Sequence, residues 1–226
     1  MSEHIADIDK HVFKNKLGIE NPVIFDVGCF DGNDCLEFIE IFENPKLYAF
    51  EADKRSIEIF KNHVGNVPVT LIETALSNRD GHVDFYKSES KTRKHDRHGE
   101  KTWTASSSIK KPENHLNIFP DVQFMDKITV ESQRLDTWIE DKNISKIDIM
   151  WVDVNGGEKE FLDGALNTIN NKVKYLYIEF NAADGKSLYE GCLTKDEIKN
   201  KLPNFKECGV FNFMGNFGNV LLENQS

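Results

Sequence analysis

The sequence predicts an open α/β sheet, mostly parallel and twisted, with helices on both faces and an antiparallel hairpin at one edge. Three observations carry that expectation. Short, near-continuous apolar runs at 23–25, 46–50 and 147–152 read as strands buried on both faces. Segments with apolar residues at helical spacing follow them, so strand and helix alternate along the chain. Each run also closes on an acid, Asp26, Glu51 or Asp153, at the carboxyl end of its strand. Open α/β sheets bind ligands there, where the strand order reverses.

Taken in order, residues 1–20 predict a leading helix with Ile5, Ile8, Val12, Phe13 and Leu17 on one face and Gly18 as its stop. Strand 23–25 runs into Asp26-Val27-Gly28. Past Gly32, Cys35, Leu36, Phe38, Ile39, Ile41 and Phe42 set out an amphipathic helix. Asn44-Pro45 breaks that helix before the second strand, 46–50. Residues 54–64 predict another helix, and 67–75 a third strand. Asn78-Arg79-Asp80-Gly81 is a turn signal, after which 82–86 alternates as an exposed hairpin strand. Strand character resumes at 128–135, with a short helix from Asp136. Strand 147–152 is followed by Asn155-Gly156-Gly157-Glu158 and a helix carrying Phe161, Leu162, Ala165, Leu166 and Ile169. A further strand spans 173–180. Thr194 with Glu197 three residues on is a capping-box pattern for a helix near 194–201. Strands near 205–213 and 219–223, separated by Gly215 and Gly218, complete the edge pair.

The stretch from 22 to 34 organises the rest. Gly28 and Gly32 permit a tight turn and close approach of a ligand to the backbone. Phe30 stands where a dinucleotide fingerprint needs its middle glycine, which argues against a nicotinamide-dependent dehydrogenase. Asp26 suits a ligand that carries positive charge. Glu51, about twenty residues beyond the glycine turn, is placed to accept hydrogen bonds from two ribose hydroxyls.

Composition narrows the classes. With 226 residues the chain predicts one domain, 1–226, and its sixteen Phe supply large buried area despite a hydrophobic fraction of 39%. No apolar run is long enough to span a bilayer, and the N-terminus lacks the pattern of a signal peptide, so a cytoplasmic location is expected. Cys29, Cys35, Cys192 and Cys208 lack metal or disulfide spacing. A net charge of -10 argues against general nucleic-acid binding. Residues 87–111 reverse that charge, with eight Lys or Arg against three acids. They begin an inserted flap or lid, 87–127, expected to attract an acidic or phosphorylated substrate. Charge reversal at Arg93, Lys94 and Arg97 is expected to raise KM for such an acceptor and leave cofactor affinity alone. His95, His98 and His115 are candidate bases on that lid, and Trp103 or Tyr189 could stack on a sugar face.

Several motifs together resemble the FkbM family of S-adenosylmethionine-dependent methyltransferases. They are Phe25-Asp26-Val27-Gly28 with Gly32, Phe50-Glu51-Ala52, Ala75-Leu76-Ser77 with Gly81, Arg134-Leu135-Asp136-Thr137, and Asp153-Val154-Asn155-Gly156-Gly157-Glu158 with Gly164-Ala165. Ile178-Glu179 and Asn219-Val220-Leu221 also fit. The resemblance implies a Rossmann-like class I methyltransferase fold and methyl transfer to oxygen, commonly on a carbohydrate, glycan or nucleotide-linked sugar. It implies that Asp26, Gly28 and Gly32 line the amino-acid portion of S-adenosylmethionine. Glu51 with Ala52 would hold the ribose, Ala75 and Leu76 would flank the adenine, and Asp153 would sit beside the reacting methyl. Two positions depart from the family pattern: Asn155, and Cys29-Phe30-Asp31 between the glycines.

Asp153 is the first candidate for base or acceptor-orienting group, and His115 the second. Because sugar hydroxyls are poor acids, Asp153, Glu179 and Asn181 are also candidate oxygen ligands for Mg²⁺. The rival from another class is a non-catalytic binding or assembly module that retains the fold.

Overall fold

The computed structural model describes residues 6–90, 103–181 and 187–226. Residues 1–5 of the expected leading helix lie outside that set. Helix α1 (His11–Leu17) is shorter than expected. Asp7 and Asp9 accept from the N–H groups of Ile8 and His11, and such local side-chain bonds compete with helix. Gly18, at φ 62°, ends it.

Two sheets follow. The larger has seven strands in the order β3-β2-β1-β7-β8-β10-β9. They are β1 (Val23–Val27), β2 (Lys46–Phe50), β3 (Val69–Ile72), β7 (Ile147–Val152), β8 (Val173–Asn181), β9 (Phe205–Phe211) and β10 (Phe217–Asn224). The first five are parallel, and β10 runs antiparallel to both β8 and β9. The expected edge hairpin is therefore present. The chain builds from β1 outward to β3, then crosses back to lay β7 on the other flank of β1. That reversal opens a crevice above the tips of β1 and β7.

The smaller sheet pairs β4 (Ala75–Leu76), β6 (Val122–Gln133) and β5 (Gly81–Ser90) in the order β4-β6-β5. Here the structure corrects the single strand expected over 67–75. The ladder breaks after Ile72, where Thr74 N–H turns back onto the Ile72 carbonyl at 3.0 Å. Ala75 and Leu76 then pair with Ser132 and Gln133 instead. Strand β6 is longer than the expected 128–135, because β5 supplies a partner along its length. Residues 87–90 and 122–127, at the two ends of the expected flap, are strand in β5 and β6.

Helices α2 (Asn33–Ile41), α3 (Lys54–Val64), α4 (His115–Ile118), α5 (Leu135–Trp138), α6 (Glu158–Lys172) and α7 (Lys195–Lys201) complete the described elements. Thr194 and Glu197 close the capping box that starts α7. Side chains alternate across each strand, so the main sheet has two cores. Phe25, Val27, Met150 and Val152 pack with α5 and α6, while Ile24, Ile149 and Trp151 pack with α1 and α2.

Candidate active site

Four strand ends meet at one cavity. At the tip of β1, Gly28 adopts φ 85°, and a Cβ there would lie 1.8 Å from the Asp153 carbonyl oxygen. Only glycine lets the β1 and β7 tips approach this closely. Gly28 and Cys29 N–H groups both donate to the Phe50 carbonyl, at 2.9 and 3.1 Å, and Asp153 N–H donates to Val27 at 2.9 Å. The three tips are thus tied by backbone. The cavity above them encloses about 180 Å³. That is room for on the order of ten waters, so it is a cleft and not a packing defect.

Glu51 forms one wall. Its Oε1 accepts from Ala52 and Asp53 N–H, both at 2.7 Å, and its Oε2 accepts from Phe30 N–H at 3.1 Å. Burial pushes this carboxyl up to about 7, partly offset by the Asp53 N–H. A carboxylate has about four lone-pair sites, so one on Oε2 remains for a ligand hydroxyl. Val27, Phe50, Leu76 and Phe85 provide apolar surface for a flat ring, with Ala52, Thr74 and Ala75 beside them.

Asp153 also lines the cavity and is exposed. Desolvation within the cleft, followed by the negative charge of Asp34, raises its carboxyl to about 6, while the Asn155 N–H holds it down. Asp34 also lines the cavity and pairs with Lys10 at 2.6 Å. Lys10 is itself buried, 4.5 Å above the Trp151 ring.

Thr104, Ala105, Ser107, Ser108 and Ile109 close the top. Thr104 and Ser56 hydroxyls meet at 2.8 Å, Ser107 donates to Asp53 at 3.1 Å, and Ser108 donates to the Asn155 carbonyl at 2.6 Å. This strap was missed in the sequence beyond its place at the end of the basic stretch. The available signal was a return of small and apolar residues, Ala105 to Ile109, after a long polar run.

Gly28, Glu51, Ala52, Ala75, Leu76 and Asp153 therefore share one cavity. Other expected site residues do not line it. Asp26 is 1% exposed and accepts from the Cys35 thiol at 3.1 Å. The two-residue period of β1 puts Asp26 on the face of Ile24, beneath α2 and away from the cleft. Burial, with the charge of Asp34, holds its carboxyl well above the usual range. Gly32 is a packing glycine: at φ 78°, a Cβ there would lie 2.4 Å from Val64 Cγ2.

His115 is 2% exposed, with Phe119, Phe124 and Tyr189 rings around it, and lies away from the cavity. Its place in an aromatic cluster corrects the expectation of a base carried to the site. Tyr189 is fully buried and donates to the Ser106 carbonyl at 2.7 Å, so it offers no sugar platform. Arg93, Lys94, His95, Arg97 and His98 lie outside the described residues.

Of the three candidate Mg²⁺ ligands, Asp153 lines the cavity and Glu179 and Asn181 do not. Among the described residues no group of three or more His, Cys, Asp or Glu is placed to hold a metal ion. Asn181 commits its oxygen to Leu188 N–H at 3.1 Å. Glu179 is buried at the end of β8, where burial and then the charges of Asp153 and Glu158 push its carboxyl well up. Glu158 accepts from Gly156 N–H at 3.1 Å and is raised to about 8, chiefly by burial.

A buried acid, an apolar slot and a second carboxylate thus gather at the switch point of a sheet with the Rossmann-like class I methyltransferase fold. The chain belongs to the FkbM methyltransferase family, whose domain matches residues 26–209. It is 35% identical over 205 residues to the 2-O-methyltransferase NoeI of Sinorhizobium fredii, covering 90% of this chain and 80% of that one. Among solved structures it resembles Methyltransferase FkbM from Methylobacillus flagellatus, with TM-score 0.53 and 14% identity, over 90% of this chain and 44% of that one. A putative rRNA-methylase from Clostridium thermocellum aligns with TM-score 0.52 and 12% identity, over 96% and 94% of the two chains. At these identities the solved structures bear on the fold alone. No described helix is long and apolar enough to cross a membrane.

Proposed function

We propose that this protein transfers a methyl group to a hydroxyl of a carbohydrate, glycan or nucleotide-linked sugar. The observation that carries the reading is Asp153, a carboxylate open to the cavity at the same switch point as Glu51. The extended likeness to a 2-O-methyltransferase supports oxygen as the acceptor atom. The positive charge of 87–111, in a chain of net -10, supports an acidic or phosphorylated acceptor.

Bound in the cavity, S-adenosylmethionine supplies an electrophilic methyl group. Glu51 would accept from its ribose through the remaining lone pair on Oε2. The Gly28 turn would border its amino-acid portion, and Ala75 with Leu76 would flank its adenine. Asp153 orients the acceptor hydroxyl and takes its proton as the oxygen becomes nucleophilic. Its carboxyl, near 6, is mostly ionised at neutral pH and so is ready for that proton.

Calorimetry with S-adenosylhomocysteine and a methylation screen of sugars, glycans and nucleotide sugars test the reading together. Binding with turnover of a hydroxylated acceptor is expected. Failure to bind S-adenosylhomocysteine would remove the proposal, and binding with no turnover across the screen would favour a non-catalytic module.

A further inference from the structure

Asp26 is the acid whose place before the glycine turn suits a positively charged ligand, and the fold buries it under α2. Asp34 stands where that charge is needed. It belongs to the first turn of α2 and lines the cavity together with Gly28, Cys29 and Phe30. Its side chain is 37% exposed and its pairing leaves one oxygen open. Lys10 Nζ meets Asp34 Oδ1 at 2.6 Å and also binds Glu37 Oε2. Glu37 Oε1 accepts from Asn33 at 2.7 Å, so both of its oxygens are engaged. No N–H or O–H group among the described residues donates to Asp34 Oδ2. Lys10 is itself buried, with the Trp151 and Phe38 rings 4.5 and 5.7 Å from its Nζ, so the ion pair is held in place. One cation between two carboxylates leaves one negative charge in excess, and of the two acids only Asp34 lines the cavity. The neighbouring acids have other partners. Asp31 is 5% exposed and accepts from Asn33 N–H at 3.0 Å, and Glu51 is held by three backbone N–H groups.

We propose that Asp34 recognises the α-ammonium group of the cofactor's amino-acid portion, while Lys10 holds the other oxygen of the same carboxylate. The inference rests on the methyl-transfer reading for the identity of the ligand, and adds to it the residue that selects for the amino group. An ammonium is a donor with no acceptor capacity, and a carboxylate oxygen with a free lone pair is its natural partner. Hydrogen bonds between ionised groups are the strong ones, and the enclosure of the cleft strengthens them further. A nucleoside without the amino group gains nothing from Asp34.

Isothermal titration calorimetry on the full chain compares three ligands. They are S-adenosylhomocysteine, its deamino analogue, which keeps the carboxylate, and 5′-methylthioadenosine, which lacks the amino-acid chain. The wild type is expected to hold S-adenosylhomocysteine about 10-fold more tightly than the deamino analogue. Asp34→Asn, which keeps the shape, weakens S-adenosylhomocysteine by about the same factor, closes that gap and leaves the Kd for 5′-methylthioadenosine in place. Glu37→Gln is the control for net charge: it removes a carboxylate on the same helix that does not line the cavity, and the gap persists. The inference is overturned by a wild type that binds the first two ligands alike, a result that stands even where Asp34→Asn fails to fold. It is equally overturned if Asp34→Asn keeps the gap, if that variant loses 5′-methylthioadenosine as much as S-adenosylhomocysteine, or if Glu37→Gln closes the gap as well. A wild type that binds none of the three nucleosides removes the methyl-transfer reading and this inference with it, whereas binding without a gap removes this inference alone.

Discussion

Glu51 and Asp153 are both carboxylates at strand ends, and their surroundings fit them for different work. Glu51 is held by three backbone N–H groups and keeps one acceptor site, so it suits one fixed hydroxyl. A hydrogen bond to a charged group contributes about 1.5 kcal/mol, so losing it in Glu51→Ala raises the Kd for S-adenosylhomocysteine about 10-fold. Isothermal titration calorimetry measures it. Asp153 meets the cavity with fewer fixed partners and suits proton transfer. Asp153→Asn is expected to lower kcat by about 10²- to 10⁴-fold, with the S-adenosylhomocysteine Kd nearly unchanged. In the wild type, activity falls as pH drops through about 6, where this base becomes protonated. Both acids were legible from their places after apolar runs. Asp26 was legible too, but strand alternation sends its side chain under α2, where it does not line the cavity.

At the scale of elements, the strap and the glycine contacts decide how the site is assembled. Helix α6 rests directly on the end of β4: a Cβ at Gly164 would lie 1.9 Å from the Ser77 carbonyl oxygen. Because that neighbour is backbone, Gly164→Ala must push the helix off the small sheet, at about 2–3 kcal/mol in urea unfolding. By contrast, Thr194→Ala should remove only the α7 cap, about 1 kcal/mol. The capping box, the alternation of strand with helix and the edge hairpin were all readable, because each depends on neighbours within a few residues. The break after Ile72 was not, because Ala75 and Leu76 are recruited by Ser132 and Gln133, more than fifty residues away.

For the molecule as a whole, a binding site rich in buried acids has a cost that pH reveals. In the folded chain Glu51 and Glu158 titrate near 7 and 8, against an ordinary value of 4.5. The folded state therefore binds protons that the unfolded chain has released, and stability is lost as pH rises from about 4.5 to 8. The apo protein should melt a few degrees higher at pH 5.5 than at pH 8.5, roughly as expected for its size, by scanning calorimetry. A flat profile would mean these carboxyls are not protonated as their burial demands. The sequence by itself determined the alternating architecture, the glycine turn and which strand ends carry acids, since apolar period and turn chemistry are local properties. Only the tertiary structure decided which acids share a cavity, that Ser108 donates to the Asn155 carbonyl, and that His115 is enclosed by aromatic rings. Those outcomes depend on which strand lies beside which and on the face each side chain takes, and long-range packing sets both.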